Sequence, residues 1–160
     1  MINLALRPVN ADDESFLCEV YSSTRQDELA LLPWSETEKE GFIQMQYKAQ
    51  RQGYLQQSPE ADWQIILLNN APIGRLIVDR RPQEVGLMDI ALLPQYRGQG
   101  IGTQFIKQVM AEATEQKKPV RLYVSKNNEG ALRLYERLEF TIIGDTSMHF
   151  WMEWLPPGIS

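Results

Sequence analysis

Gln95-Tyr96-Arg97-Gly98-Gln99-Gly100-Ile101-Gly102-Thr103 joins an apolar run, Val85 to Leu93, to a stretch in which Phe105, Ile106, Val109, Met110 and Ala113 recur at helical spacing. Pro94 ends the run, so the segment reads as strand, glycine turn, helix. The glycines leave a backbone poor in side chains where a helix begins, and the unpaired N–H groups and dipole of a helix start favour a phosphate. The turn is therefore a candidate pyrophosphate cradle, with a purely conformational glycine turn as the plainer alternative. Gly98-x-Gly100-x-Gly102 is not the Gly-x-Gly-x-x-Gly of dinucleotide sites, and Gly-Lys-Ser/Thr is absent, so the common nucleotide loops do not fit.

Working outward, Lys117-Lys118-Pro119 closes the helix, with cations at its negative end, and Val120 to Ser125 reads as a strand. Asn127-Asn128 caps a further helix whose Ala131, Leu134, Tyr135 and Leu138 form one apolar stripe. Two strands follow, Phe140 to Ile143 and Met148 to Trp154, around Gly144-Asp145. The last alternates Met148, Phe150, Met152 and Trp154 against His149, Trp151 and Glu153. Upstream, Trp63 to Leu68 and Ile73 to Val78 make a hairpin around Asn69-Asn70-Ala71-Pro72, where asparagine tolerates positive φ. The chain opens with a strand on Ile2, Leu4 and Leu6 that Pro8 stops. A helix capped at Asn10 or Asp12 comes next, then a second from the capping box Ser35-Glu36-Thr37-Glu38 through about Gln52. The order is βααβββαβαββ, a mixed α/β class.

The 160 residues, without repeat or linker, read as a single domain over 1–160. Hydrophobic residues at 43% and charged residues at 23% describe a folded soluble chain. One cysteine, Cys18, and one histidine, His149, exclude disulfide frameworks and the usual zinc ligand sets, so no metal is expected. Cys18 fits the apolar face of the first helix and reads as a small core residue. A net charge of −5 argues against broad binding to nucleic acid or anionic membrane. The longest aliphatic stretch is Ile65-Ile66-Leu67-Leu68, so neither a signal peptide nor a membrane span is expected, and a cytoplasmic home is the default.

Gln95-x-x-Gly98-x-Gly100 resembles the Gln/Arg-x-x-Gly-x-Gly/Ala signature of the GNAT superfamily, the acyl-CoA-dependent N-acetyltransferases. Asn128-x-x-Ala131-x-x-Leu134-Tyr135-Glu136-x-x-x-Phe140 is similar to a second family segment, with Glu139 where that pattern has a glycine. The resemblance follows nearly the whole chain in element order. It implies a central twisted mixed sheet, splayed between strands 4 and 5, with helices on both faces. Acetyl-CoA would be the cosubstrate. Its pantetheine arm would pair with backbone at Leu92 and Leu93, its pyrophosphate would meet the N–H groups of Arg97, Gly98, Gln99, Gly100, Ile101, Gly102 and Thr103, and Asn128 and Tyr135 would complete its site.

Acyl transfer needs an amine freed of its proton and a proton for the departing thiolate. By the resemblance Tyr135 is the acid, against a reading in which it only packs on its helix's apolar stripe. Asp89 is the preferred base: the resemblance places it where some family members carry an acid near the amine, and it is an acid inside an apolar run. Against this stands a reading in which it only faces water, and Glu84, Asp27, Glu28 or a water chain are the alternatives. His149 falls opposite the apolar face of its strand and reads as an exposed site of no special role. Arg25, Asp27, Glu28 and Trp34 lie in or beside the connection of the first two helices, which the resemblance implies lines the acceptor pocket, against a reading as a solvated helix end.

The function expected is N-acetylation of a primary amine by direct attack. The alternatives are an inactive acyl-CoA-binding sensor or scaffold and, less favoured by the glycine spacing, a nucleotide-binding regulator. The partners expected are an amine acceptor, either a small molecule or a protein N-terminus, and no nucleic acid or membrane. A homodimer is a candidate assembly.

Overall fold

The computed structural model describes residues 2–159. Its elements are β1 (Leu4–Pro8), α1 (Glu14–Ala30), α2 (Glu36–Gln57), β2 (Asp62–Leu68), β3 (Ala71–Arg80), β4 (Val85–Leu92), α3 (Ile101–Gln116), β5 (Val120–Ser125), α4 (Glu129–Arg137), β6 (Thr141–Asp145) and β7 (His149–Trp154). This is the order and class that the sequence predicts. The strands form one mixed sheet in the order β1-β2-β3-β4-β5-β7-β6. Among the described residues no helix is long and apolar enough to cross a membrane.

The chain divides into two compact units, and strands β3 and β4 each run from one into the other. The first unit holds the chain up to Ile77 together with Asp89–Gln99. Its core clusters Leu17, Tyr21 and Leu29 of α1 with Ile43 and Tyr47 of α2 and Ile65 of β2, and half-buried Cys18 packs against it. Burial pushes the Cys18 thiol up from its ordinary value. Asn10 caps a short 3-10 turn that leads into α1, and Ser35 and Glu38 form the expected capping box at α2.

Several boundaries differ from the sequence reading: β3 takes in Ala71, Pro72, Asp79 and Arg80, and β6 shifts to Thr141–Asp145, so that Gly144 and Asp145, read as a turn, lie in the strand. Pro8 is the last residue of β1, in register with Gln64, because β1 lies at the sheet edge, where a missing N–H is tolerated. α2 continues past Gln52 to Gln57 despite Gly53, whose helix cost of about 1 kcal/mol is met by the next turn's packing. There Tyr54 lies edge-on to Trp63, with ring centroids 6.0 Å apart.

Gly74 on β3 brings this unit's strands together. A Cβ there would overlap the Ala91 carbonyl oxygen and come within 2.8 Å of Leu92 Cδ2, so only glycine lets β3 lie this close to the end of β4. Gly74→Ala is expected to cost about 2–3 kcal/mol in chemical denaturation, the upper range for an overpacked site.

The second unit holds Val78–Met88 and the chain from Gly100 onward. Of the predicted apolar positions of α3, Phe105, Ile106, Val109 and Ala113 are buried and Met110 is half-buried. Lys117, with φ +58°, ends that helix in the left-handed conformation as the donor-poor C-terminus requires. β5 pairs with β7 over six positions, from Val120↔Trp154 to Ser125↔His149. The parallel ladder of β4 and β5 holds only Val85↔Val120 and Gly86↔Arg121 and does not continue at Leu87 and Met88. The alternation read in the last strand holds for buried Met152, while Trp151 on the opposite face stacks on Tyr123 at 5.9 Å. Met148 leaves the predicted apolar face because it precedes the first paired residue, and it is exposed.

Candidate functional site

The glycine turn is built in two steps. Pro94 opens a 3-10 turn closed by Tyr96 N–H to the Leu93 carbonyl at 3.0 Å and by Arg97 N–H to the Pro94 carbonyl at 3.2 Å. The Gln99 amide then donates back to the Gln95 carbonyl at 3.0 Å. Gly98 and Gly100 follow with φ of +73° and +81°, values that a side chain strains against by about 1–2 kcal/mol. A Cβ at either position meets nothing within 4 Å, so their backbone lies open to whatever approaches it. Gly100 is also the N-cap of α3 and has no side chain to cap with, and the helix carries no acidic residue in its first turn. Of the N–H groups expected to form the cradle, that of Arg97 is spent on the Pro94 carbonyl, while those from Gly98 to Thr103 have no acceptor among the described residues. A helix start left without its own caps is an anion site in waiting.

Before the turn, Leu93 N–H donates to the Ile73 carbonyl at 2.9 Å and so belongs to the ladder with β3. The Leu92 carbonyl accepts from Arg97 Nε at 2.9 Å, and Arg97 Nη2 donates to Ser23 Oγ at 3.1 Å. Ser23 is buried on α1 and donates in turn to the Val20 carbonyl. Arg97 thus ties the glycine turn to the end of β4 and to α1.

Asp89, half-buried on β4, is paired through Oδ2 with Nε of Arg75 on β3 at 2.5 Å. Its other oxygen has no partner among the described residues. Burial opposes the charge of Arg75, but the charge and hydrogen bond of Asp89 outweigh it and raise the guanidinium's pKa. Burial, and then the Asp89 charge, push the Tyr54 phenol far above the usual tyrosine range. Glu84, the alternative acid, has both oxygens in ion pairs, with Arg121 at 3.2 Å and Arg81 at 3.3 Å.

Asn128 caps α4, its Oδ1 accepting from Ala131 N–H at 3.1 Å. Tyr135, on the inner face of that helix, is 8% exposed and tilts against Phe140 at 5.5 Å. Glu139 has φ +72°, the left-handed conformation for which the related pattern carries a glycine, and Phe140 N–H beyond it reaches back to the Tyr135 carbonyl at 2.9 Å. The turn is kept with a residue that strains it. Glu139→Gly is accordingly expected to stabilise the protein by about 1 kcal/mol in denaturant titration.

In the acceptor candidates, Arg25 donates to Glu28 at 2.9 Å and to the Tyr21 hydroxyl at 2.7 Å. Asp27 is exposed, and Trp34 is partly buried, edge-on to Phe42 at 5.2 Å. His149 is exposed. Arg75, Gln50 and Ser23 were not singled out from sequence, although Arg75 carries the signal that marked Asp89, a charge inside an apolar run.

Comparison with known proteins follows the same lines. A curated relative, an N-acetyltransferase of Methanocaldococcus jannaschii whose own role is uncharacterised, is 26% identical over 113 residues, 62% of this chain and 50% of the relative. The chain therefore spans half that relative's length. The PaiA N-acetyltransferase of Thermoplasma acidophilum, solved in complex with coenzyme A, superposes with a TM-score of 0.73 at 19% identity, covering 96% of this chain and 99% of that one. A GNAT family acetyltransferase of Elizabethkingia anophelis, solved with acetyl-CoA bound, gives 0.61 at 16% identity, covering 96% and 98%. These two likenesses establish the fold. The model of the acetyltransferase (GNAT) family matches residues 23–140, from within α1 to the residue before β6 and including both motifs. The chain belongs to the GNAT family of acetyltransferases.

Proposed function

We propose that residues 1–160 form one acyl-CoA N-acyltransferase domain that moves an acetyl group from acetyl-CoA to a primary amine by direct attack. The observation that carries this is the run of unpartnered N–H groups from Gly98 to Thr103 around two glycines of positive φ. It has the chemistry to bind a pyrophosphate without a basic surface. The CoA bound to the two structural neighbours supports the same reading. The pantetheine arm pairs with backbone near Leu92 and lies along Leu93, whose own N–H and carbonyl are held by Ile73 and Tyr96. Arg97, which now holds the Leu92 carbonyl, is the side chain that must share or yield it. Asn128 and Tyr135 complete the site.

In the reaction, Asp89 takes the proton of the acceptor ammonium, directly or through a water. The freed nitrogen attacks the thioester carbonyl carbon, and the C–S bond breaks as Tyr135 gives its phenolic proton to the departing thiolate. The second proton of the nitrogen passes directly or through water to the Tyr135 phenolate, and Asp89 releases the first to solvent. A tyrosine phenol, of ordinary pKa about 10, is protonated and able to do so at neutral pH. The products are the N-acetylated amine and CoA. The acceptor is a small molecule or a protein N-terminus, contacted by Arg25, Asp27, Glu28 and Trp34, and the enzyme works in the cytoplasm, with a homodimer as the candidate assembly.

A panel of primary amines, including polyamines, amino acids and peptides with free N-termini, tests this with acetyl-CoA and a thiol reagent. Amine-dependent release of CoA thiol supports transfer. Binding of acetyl-CoA without thiol release from any member marks a sensor or scaffold instead.

A further inference from the structure

Arg75 lies in an otherwise apolar stretch of β3, between buried Ile73 and buried Leu76 and Ile77, and its side chain is 3% exposed. Filling that space needs no charge, and an isolated guanidinium there is strongly unfavourable. Two of its nitrogens are committed in different directions. Nε donates to Asp89 Oδ2 on β4 at 2.5 Å, and Nη2 donates to Gln50 Oε1 on α2 at 2.7 Å. Nη1 is buried with no partner among the described residues. Gln50 shares a face of α2 with Tyr47 and Tyr54, at i, i+3 and i+7. Both phenols lie near the guanidinium, and Tyr21 of α1 tilts against Tyr47 with ring centroids 6.1 Å apart. Both Tyr47 and Tyr54 sense the Arg75 charge, and burial pushes Tyr47 up to about 12. Tyr47 and Tyr54 therefore stay neutral at working pH and supply no counter-charge to Arg75, whose charged partner is Asp89.

We infer that Arg75, anchored by Gln50, is a positioning residue that grips one oxygen of Asp89 and so presents the other to the acceptor amine. The inference rests on Asp89 being the base proposed above. A fork held at both ends fixes the carboxylate's rotamer, and a fixed carboxylate is what proton transfer at hydrogen-bond distance requires.

A double-mutant cycle tests it, with rates normalised to protein competent to bind acetyl-CoA. Asp89→Asn is expected to lower kcat about 100-fold at pH 7 with the KM for acetyl-CoA unchanged, and Arg75→Met about 10-fold or more. Both losses shrink as rising pH deprotonates the amine unaided. Because Arg75 acts through Asp89, the double variant is no slower than Asp89→Asn alone. It also melts no lower than either single variant, since removing both charges leaves neither buried and unpaired. Gln50→Met keeps the ion pair and decides the matter if Arg75→Met does not fold. It is expected to lower kcat about 3-fold, and to lower it no further in the Asp89→Asn background. Losses that multiply in either double variant, beside an impaired Asp89→Asn, overturn the positioning role alone. Wild-type kcat/KM for Asp89→Asn overturns the base assignment and the inference with it.

Discussion

Tyr135→Phe folds, binds acetyl-CoA as the wild type does, and turns over at about one hundredth of the wild-type rate or less, the usual scale for a positioned general acid. The expectation follows from what the substitution keeps. The ring is buried against Phe140 at 5.5 Å on the inner face of α4, and phenylalanine fills that space without loss of packing. Alanine would open a cavity and confuse catalysis with folding. With the phenol gone, the thiolate must leave unprotonated or wait for a proton from water. Single-turnover kinetics isolate that step from product release, which could otherwise mask it. A kcat equal to wild type under those conditions removes Tyr135 from the chemistry and leaves it a core residue.

Gly100→Glu loses acetyl-CoA affinity by more than about 100-fold, read as the disappearance of the thermal shift that acetyl-CoA confers on the wild type. Space within the protein is not the obstacle, since a Cβ at this position meets no atom within 4 Å. The obstacles are conformational and electrostatic. A side chain at φ +81° costs about 1–2 kcal/mol, and a carboxylate would stand at the helix start where the pyrophosphate is to arrive. Gly100→Asn separates the two effects. Asparagine tolerates the left-handed conformation and adds no charge, so its affinity should fall between those of wild type and Gly100→Glu. Unchanged affinity in folded Gly100→Glu would move the cradle elsewhere.

Local periodicity made most of the fold legible. The positions Phe105, Ile106, Val109 and Ala113 bury as their spacing demands, and the Asn69-Asn70 turn adopts the predicted positive φ at both residues, 50° and 70°. The boundaries that moved did so for tertiary reasons a window of sequence does not contain. Pro8 is tolerated because β1 is an edge, and α2 outruns Gly53 because Trp63 waits for Tyr54. In the candidate site, the glycine turn was visible because its chemistry is backbone chemistry, written into consecutive residues. The surroundings of Asp89 were not visible. Its partner Arg75 lies fourteen positions away on another strand, and Gln50 a further twenty-five back on a helix, joined only by folding. Gly74 was hidden for the same reason, since what forbids a Cβ there is the distant Ala91 carbonyl.

Direct transfer from acetyl-CoA to an amine is tested most squarely by a rapid-quench single turnover with acetyl-labelled CoA, following label on amine, on protein and on thioester. The account predicts that thiol appears only when amine is present, that label reaches the amine nitrogen at the same rate, and that the protein carries none at any time. Label on the protein before it reaches the amine, or thiol release without an acetylated amine, would contradict it.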